Sequence, residues 1–87
     1  MIVTIRKSFV KDSGKLNPTL KKELSSIVLN LETSNNLQEF PNCKKLSGHR
    51  TAYRIRFRNY RIGFFYSGNI IELVRILDRK EVYRYFP

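Results

Sequence analysis

The arginines of residues 53–61 are the side chains whose spacing points most directly to chemistry. From Tyr53 to Arg58, apolar residues and arginines alternate without a break. Successive side chains of a strand point to opposite faces of a sheet, so we expect Arg54, Arg56 and Arg58 to share one face. Guanidinium groups pair bidentately with phosphate oxygens. The alternation therefore predicts a strand with a phosphate-binding face.

A tight turn at Arg58-Asn59 would extend this face onto a second strand. Arg61 would then lie directly opposite Arg56, and Gly63 would lie opposite Arg54. Like charges directly opposite each other destabilise a sheet by about 0.2–1 kcal/mol per pair. Because Gly63 has no side chain, we expect it to leave a hollow beside Arg61 in which a ligand can approach.

The segment from Phe40 to Ile71 contains no Asp or Glu that would relieve this repulsion. Unrelieved positive charge is expected of a surface that binds a polyanion, most directly RNA. The alternative is an ordinary solvated face of an amphipathic strand. The basic residues of the segment, all of them candidates for phosphate contact, are Lys44, Lys45, Arg50, Arg54, Arg56, Arg58 and Arg61.

The overall charge also favours a polyanionic partner. The 87 residues carry 17 Lys and Arg against 7 Asp and Glu, which gives a formal net charge of +10. This imbalance favours RNA, a ribosome, DNA or a very acidic protein as the partner. The length predicts a single domain that spans residues 1–87.

Several classes of protein are disfavoured by the cysteine, histidine and apolar content. The lone Cys43 cannot form an intrachain disulfide, and neither a CxxC motif nor a pair of histidines is present to bind a metal. No apolar run has the length of a signal peptide or a membrane span. We therefore expect a cytoplasmic protein with no cofactor, no metal and no membrane partner.

Hydrophobic periodicity predicts a strand at residues 1–5 and two helices, at residues 7–15 and 18–33. Asn17 is a typical N-cap, and Pro18 suits the first position of the second helix. Residues with three- and four-residue spacing form one apolar stripe on that helix: Leu20, Leu24, Ile27, Val28 and Leu31.

Residues 37–47 are predicted to form a linker, because Pro41 rules out a central strand there. Three more strands are expected at residues 50–57, 60–66 and 70–77, the last of them covered on both faces. The order βααβββ predicts an α+β fold, in which an N-terminal helical hairpin packs on one face of a small, mainly antiparallel sheet.

The common catalytic constellations are missing from the sequence. His49 has no partner, the serines have no His–Asp set, and paired carboxylates are lacking. Arginine, lysine and tyrosine suit RNA cleavage by its own 2′-hydroxyl, in which a protein orients the chain, offsets phosphorane charge and moves a proton. Arg79 and Tyr83 lie four residues apart near the C-terminus, and Tyr83 or Tyr85 could stack on a base. The alternative is that these aromatic residues close a small core.

Four segments spread over nearly the whole chain form a recognisable set. They are Phe9-x-Lys11-Asp12, Lys44-Lys45-Leu46-Ser47-Gly48, Tyr53-Arg54-Ile55-Arg56 leading to Asn59-Tyr60-Arg61-Ile62, and Asp78-Arg79-Lys80-Glu81-Val82-Tyr83-Arg84. In this order they resemble the RelE/ParE superfamily of bacterial toxins, which belong to type II toxin–antitoxin systems.

The C-terminal segment resembles the RelE branch. That resemblance implies an mRNA interferase, a ribosome-dependent endoribonuclease that cleaves mRNA in the ribosomal A site, leaves a 2′,3′-cyclic phosphate and is silenced by a cognate antitoxin. It also implies that Arg61 and Arg79 stabilise the scissile phosphate, while Tyr83 orients or stacks on the substrate. Two alternatives stay open: a ParE-like inhibitor of DNA gyrase, and an RNA- or ribosome-binding domain without cleavage activity.

Two departures from the RelE branch concern proton transfer. Arg54 and Arg56 fall where RelE proteins often carry lysines, and Asp78 stands where related toxins often have histidine. Arginine does not readily give up a proton. The remaining candidates for the general base are Tyr83, Lys45, Glu81 and a solvent molecule.

Overall fold

The computed structural model describes residues 1–87 and has the predicted α+β architecture. Five strands and three α-helices are present, together with one turn of 3₁₀ helix at Leu37–Glu39. In chain order the elements are β1 (Ile2–Ile5), α1 (Lys7–Ser13), α2 (Pro18–Thr33), β2 (Cys43–Lys45), β3 (Ala52–Phe57), β4 (Tyr60–Ser67), β5 (Ile70–Asp78) and α3 (Val82–Tyr85). No helix has both the length and the apolar character needed to cross a membrane.

The strands form one sheet in the order β1-β5-β4-β3-β2. Only β1 and β5 are parallel, and every other neighbouring pair is antiparallel. The short strand β2 lies within the segment predicted to be a linker. It begins two residues after Pro41 and occupies an edge of the sheet, so it avoids the central position that proline excludes.

Helix α2 has the bounds that its sequence predicts. The Asn17 side chain accepts a hydrogen bond from the Leu20 N–H at 2.8 Å, and Pro18 occupies the first turn. The apolar stripe faces the sheet, with Leu24 and Leu31 buried. Helix α1 ends at Ser13, two residues earlier than predicted.

Two apolar clusters lie on opposite faces of the sheet. The larger one joins the helical hairpin to the sheet and includes Leu31, Phe64 and Leu73. The smaller one holds the C-terminal segment to the other face and consists of Ala52, Val74, Val82 and Phe86. Strand β5 contributes to both clusters because the adjacent Leu73 and Val74 face opposite sides of the sheet. Its pairing with β4 shifts at Val74, which has no partner residue, and this returns Ile76 to the side of Leu73.

Helix α1 continues along the edge of β5 where β1 ends. The Ser8 hydroxyl donates to the Val74 carbonyl at 2.6 Å, and the Asp12 carboxylate accepts from the Ile76 N–H at 3.1 Å. Asp12 also receives two hydrogen bonds from the Arg75 guanidinium, at 2.7 and 3.0 Å. The Ser8 and Asp12 side chains therefore form hydrogen bonds with backbone groups of β5 that have no partner in a neighbouring strand.

Candidate functional site

The β3–β4 hairpin has the predicted turn and register. Arg56 lies opposite Arg61, and Arg54 lies opposite Gly63. Arg58 has a φ of 53°, in the left-handed region that a two-residue hairpin turn requires. The hairpin therefore places Arg54, Arg56 and Arg61 on the face of the sheet away from α1 and α2.

Strand β2 adds a lysine to this face. Lys44 lies opposite Arg54 in the β2–β3 register. The Arg54 side chain is held by a hydrogen bond from Nη1 to the Asn42 carbonyl at 3.1 Å. A cavity of about 260 Å³ opens here, between Asn42 and the basic side chains of Lys44, Arg54 and Arg56. We call the set Lys44, Arg54, Arg56 and Arg61 the arginine face.

Arg61 is the half-buried centre of the arginine face. Its Nη1 donates to the carbonyls of Tyr60 at 2.8 Å and Arg58 at 3.2 Å, which restricts the guanidinium. Burial lowers the pKa of Arg61, and the nearby positive charges of Arg54, Arg56 and Arg79 act in the same direction. The Tyr83 hydroxyl is also close enough to affect this pKa, in the opposite sense.

The C-terminal segment thus brings Arg79 and Tyr83 to the hairpin. The Arg79 N–H donates to the carbonyl of Asn59 in the turn at 2.9 Å, and Asp78 pairs with Tyr60. Helix α3 then leaves 57% of Tyr83 exposed, so its ring is free to stack. Tyr85 is also exposed, but it lies 5.5 Å from the Arg75 guanidinium and shields that side chain.

Arg58 and Lys45 do not lie on the arginine face. For Arg58 this corrects the prediction that it shares a face with Arg54 and Arg56. The Arg58 Nε donates to the Glu23 carboxylate of α2 at 2.7 Å, on the helix side of the sheet. This hydrogen bond lowers the pKa of Glu23 and raises that of Arg58. Lys45 pairs with Tyr53, so strand alternation directs it to the helix side as well.

Arg50 lines a surface cavity together with Lys45, another of the predicted residues. It is exposed in the loop that precedes β3, four residues before Arg54. Four residues of fully extended chain span at most about 13 Å, so Arg50 lies within that distance of Arg54. His49 is exposed in the same loop and lines the same cavity as Lys45 and Arg50.

The hollow expected at Gly63 is filled by the chain itself. A Cβ atom built on Gly63 would lie 2.5 Å from Cδ2 and 2.6 Å from Cγ of the Phe86 ring. Phe86 is 1% exposed and belongs to the smaller apolar cluster. The glycine therefore serves to dock the C-terminal segment, and the expectation of an open ligand hollow was wrong.

Gly63→Ala is expected to displace Phe86 and to destabilise the protein by about 1–3 kcal/mol, as overpacking does. Denaturant unfolding measures the loss, and faster amide exchange in residues 82–86 locates it. Gly14→Ala is the matched control, because a Cβ there meets its nearest neighbour at an ordinary 3.4 Å. Wild-type stability and exchange in Gly63→Ala would contradict the docking role.

Cys43 is expected to be an unreactive thiol. Burial raises the pKa of Cys43 to about 11. A shift of about two units leaves roughly one hundredth of the usual thiolate at neutral pH, and the thiolate is the reactive form. Alkylation by iodoacetamide should therefore be about 100-fold slower in the folded protein than in the same protein unfolded in urea, and equal rates would refute the assignment.

This chain is similar to known proteins in both sequence and fold. A scan of protein-family models finds none that matches. The chain is 39% identical to Toxin RelE3 of Methanocaldococcus jannaschii over 88 residues, which covers the full length of both proteins.

Solved structures extend the similarity. The crystal structure of the RelB-RelE antitoxin-toxin complex from Methanococcus jannaschii contains a chain that is 37% identical, with a TM-score of 0.82, over 97% of this chain and 99% of that one. The isolated Escherichia coli RelE toxin shares the fold at 22% identity, with a TM-score of 0.66 over 95% and 90% of the two chains. The full-length identity to Toxin RelE3 shows that this chain belongs to the RelE toxin family.

Proposed function

We propose that the protein is the toxin of a toxin–antitoxin pair and acts in the cytoplasm as a ribosome-dependent mRNA endonuclease. The observation that carries this proposal is the convergence of Arg54, Arg56, Arg61, Arg79 and Tyr83 on one side of the sheet. None of these arginines forms an ion pair with a carboxylate, whereas Arg6, Arg58 and Arg75 each do. Cations that no carboxylate neutralises are available to an external polyanion.

The proposed reaction is attack of an RNA 2′-hydroxyl oxygen on the adjacent phosphorus. The bond to the 5′-oxygen breaks, so the products are a 2′,3′-cyclic phosphate and a 5′-hydroxyl. Arg61 and Arg79 stabilise the negative charge that develops on the phosphorane, because preorganised cations in a partly buried site act most strongly there. Lys44, Arg54 and Arg56 hold flanking phosphates, which fixes the chain for in-line attack.

Tyr83 is the residue we assign to proton transfer and to stacking on a base next to the cleaved bond. Its hydroxyl lies near Arg61, and its ring is exposed. Lys45 is unsuited to this role because it lies on the helix side of the sheet. Arginine holds its proton too tightly to act as a base.

A cognate antitoxin is part of the proposal. The Methanococcus jannaschii structure is a RelB-RelE complex, and a second complex from Pyrococcus horikoshii has the same fold at 23% identity and a TM-score of 0.71. The net charge of +10 favours an acidic partner. We therefore expect an acidic protein to bind this chain and to silence it.

Purified protein and ribosomes translating a defined mRNA test the proposal directly. We expect cleavage only when ribosomes are present, with 2′,3′-cyclic phosphate ends on the upstream fragments. Intact mRNA would refute the cleavage proposal. In that case, inhibited DNA supercoiling by gyrase would indicate a gyrase poison, and salt-sensitive ribosome binding alone would indicate an inactive binding domain.

A further inference from the structure

Both arginines that we assign to the scissile phosphate are held by carbonyl groups of the β3–β4 turn. The Arg58 carbonyl accepts a hydrogen bond from Nη1 of Arg61 at 3.2 Å. The Asn59 carbonyl accepts one from the backbone N–H of Arg79 at 2.9 Å. Because the two carbonyls belong to adjacent residues, a rotation of the turn changes both contacts. The conformation of the turn therefore determines how Arg61 and Arg79 lie relative to each other.

This conformation is unfavourable for the residue that adopts it. Arg58 has a φ of 53° and is the only non-glycine residue of the chain with a positive φ. The left-handed region crowds the Cβ atom of an L residue, so glycine is the residue that adopts it most readily in a two-residue turn. An arginine keeps such a conformation only when the surrounding structure holds it there.

Glu23 of α2 supplies a contact that holds Arg58. Its carboxylate accepts hydrogen bonds from both Nε and Nη2 of Arg58, the first at 2.7 Å. A bidentate pair fixes the orientation of a guanidinium as well as its distance. Glu23 lies three residues after Leu20 and four before Ile27, at the margin of the stripe that packs on the sheet. The Glu23 side chain is 35% exposed and that of Arg58 is 61% exposed, so the carboxylate is the more confined partner.

We propose that Glu23 is a positioning residue for the cleavage reaction, which acts through Arg58 on the two catalytic arginines. The ion pair keeps the turn in the conformation that presents both carbonyls, and the carbonyls keep Arg61 and Arg79 together. Helix α2 thereby contributes to the site from the opposite side of the sheet. The inference rests on the proposed endonuclease function, because it explains how the two arginines are placed for that reaction.

Single-turnover cleavage of ribosome-bound mRNA by Glu23→Ala tests the inference. We expect the rate at saturating protein to fall about fivefold, the upper range for one exposed ion pair, since the pair cannot bias the turn by more than its own strength. The protein concentration that gives half of the maximal rate should stay at the wild-type value. Glu32→Ala is the matched control, because it removes the same charge from the same helix and Glu32 pairs with no cation. It should cleave at the wild-type rate.

The double variant Glu23→Ala/Arg58→Gly separates the turn from the ion pair. Both single changes remove the pair, but a glycine adopts the left-handed conformation without an anchor. We therefore expect the double variant to recover most of the rate that Glu23→Ala loses. If the pair served only to fasten the hairpin to α2, the double variant would stay as slow as Glu23→Ala.

Hydrogen exchange of the Arg79 amide follows the turn in the absence of RNA. This N–H bonds to the Asn59 carbonyl, so we expect it to exchange several-fold faster in Glu23→Ala and to return towards the wild-type rate in the double variant. Amides at the centre of β5 exchange through global unfolding and reveal any general loss of stability.

Wild-type cleavage by Glu23→Ala, or a double variant that stays slow, would overturn the inference. An Arg79 amide that exchanges in Glu23→Ala as it does in the wild-type protein would also overturn it, whether or not the protein cleaves mRNA. Intact mRNA with the wild-type protein would refute the endonuclease itself. In that case, the exchange of the Arg79 amide would still decide whether Glu23 holds the turn.

Discussion

Arg61→Ala is expected to slow mRNA cleavage on the ribosome by about 100-fold or more, the usual cost of removing one donor to a developing oxyanion, near 3 kcal/mol. Arg61 is already held by the Tyr60 and Arg58 carbonyls, so its guanidinium needs little reorganisation when charge develops on the phosphate. Single-turnover cleavage of a ribosome-bound mRNA measures the chemical step.

Two further variants separate chemistry from total charge. Lys22→Ala removes one positive charge from the exposed surface of α2 and should cleave at the wild-type rate. Arg61→Lys keeps the charge but lacks the planar fork, so we expect only partial recovery. Wild-type cleavage by Arg61→Ala would remove Arg61 from the mechanism.

Asp12→Ala is expected to destabilise the fold by about 3–5 kcal/mol, the range for breaking a buried ion pair. Asp12 is 5% exposed and accepts from both Arg75 and the Ile76 N–H, so its loss leaves a half-buried cation and a backbone donor without partners. Domains of this kind are stable by only about 5–15 kcal/mol, so the variant should be close to unfolding at 37 °C. Equilibrium unfolding in urea measures the change.

Two further variants serve as controls for Asp12→Ala. Asp12→Asn keeps an oxygen for the Ile76 N–H and should lie between wild type and Asp12→Ala. Glu72→Gln breaks the exposed pair with Arg6 and should cost about 1 kcal/mol or less. If Asp12→Ala is no more destabilising than Glu72→Gln, the link between α1 and β5 contributes little to the fold.

The parts of the fold that could be predicted are those determined by local pattern. The β3–β4 register follows from unbroken alternation and a two-residue turn, and both are visible within residues 53–64. Helix α2 begins where Asn17 and Pro18 predict, because the cap and the proline act on the first turn alone. The edge strand β2 was not predicted, since three residues are too few to show a periodicity.

The parts of the site that could not be predicted depend on distant contacts. Glu23 neutralises Arg58 although the two residues are 35 positions apart. The absence of Asp and Glu between residues 40 and 71 therefore did not show that every arginine of this segment lacks an acidic neighbour. Phe86 fills the space at Gly63 from the far end of the chain. The adjacent Lys44 and Lys45 separate onto opposite faces only because they lie in a strand, and their side chains cannot both reach the arginine face.

Mapping the 5′ ends of cellular RNA after induction of the wild-type protein and Arg61→Ala is the most direct test of the central claim, that the arginine face cleaves translated mRNA. We predict new 5′-hydroxyl ends within coding regions, in the reading frame of translation, for the wild-type protein, and their near absence for Arg61→Ala. Growth arrest by the wild-type protein with messages left intact would contradict the claim.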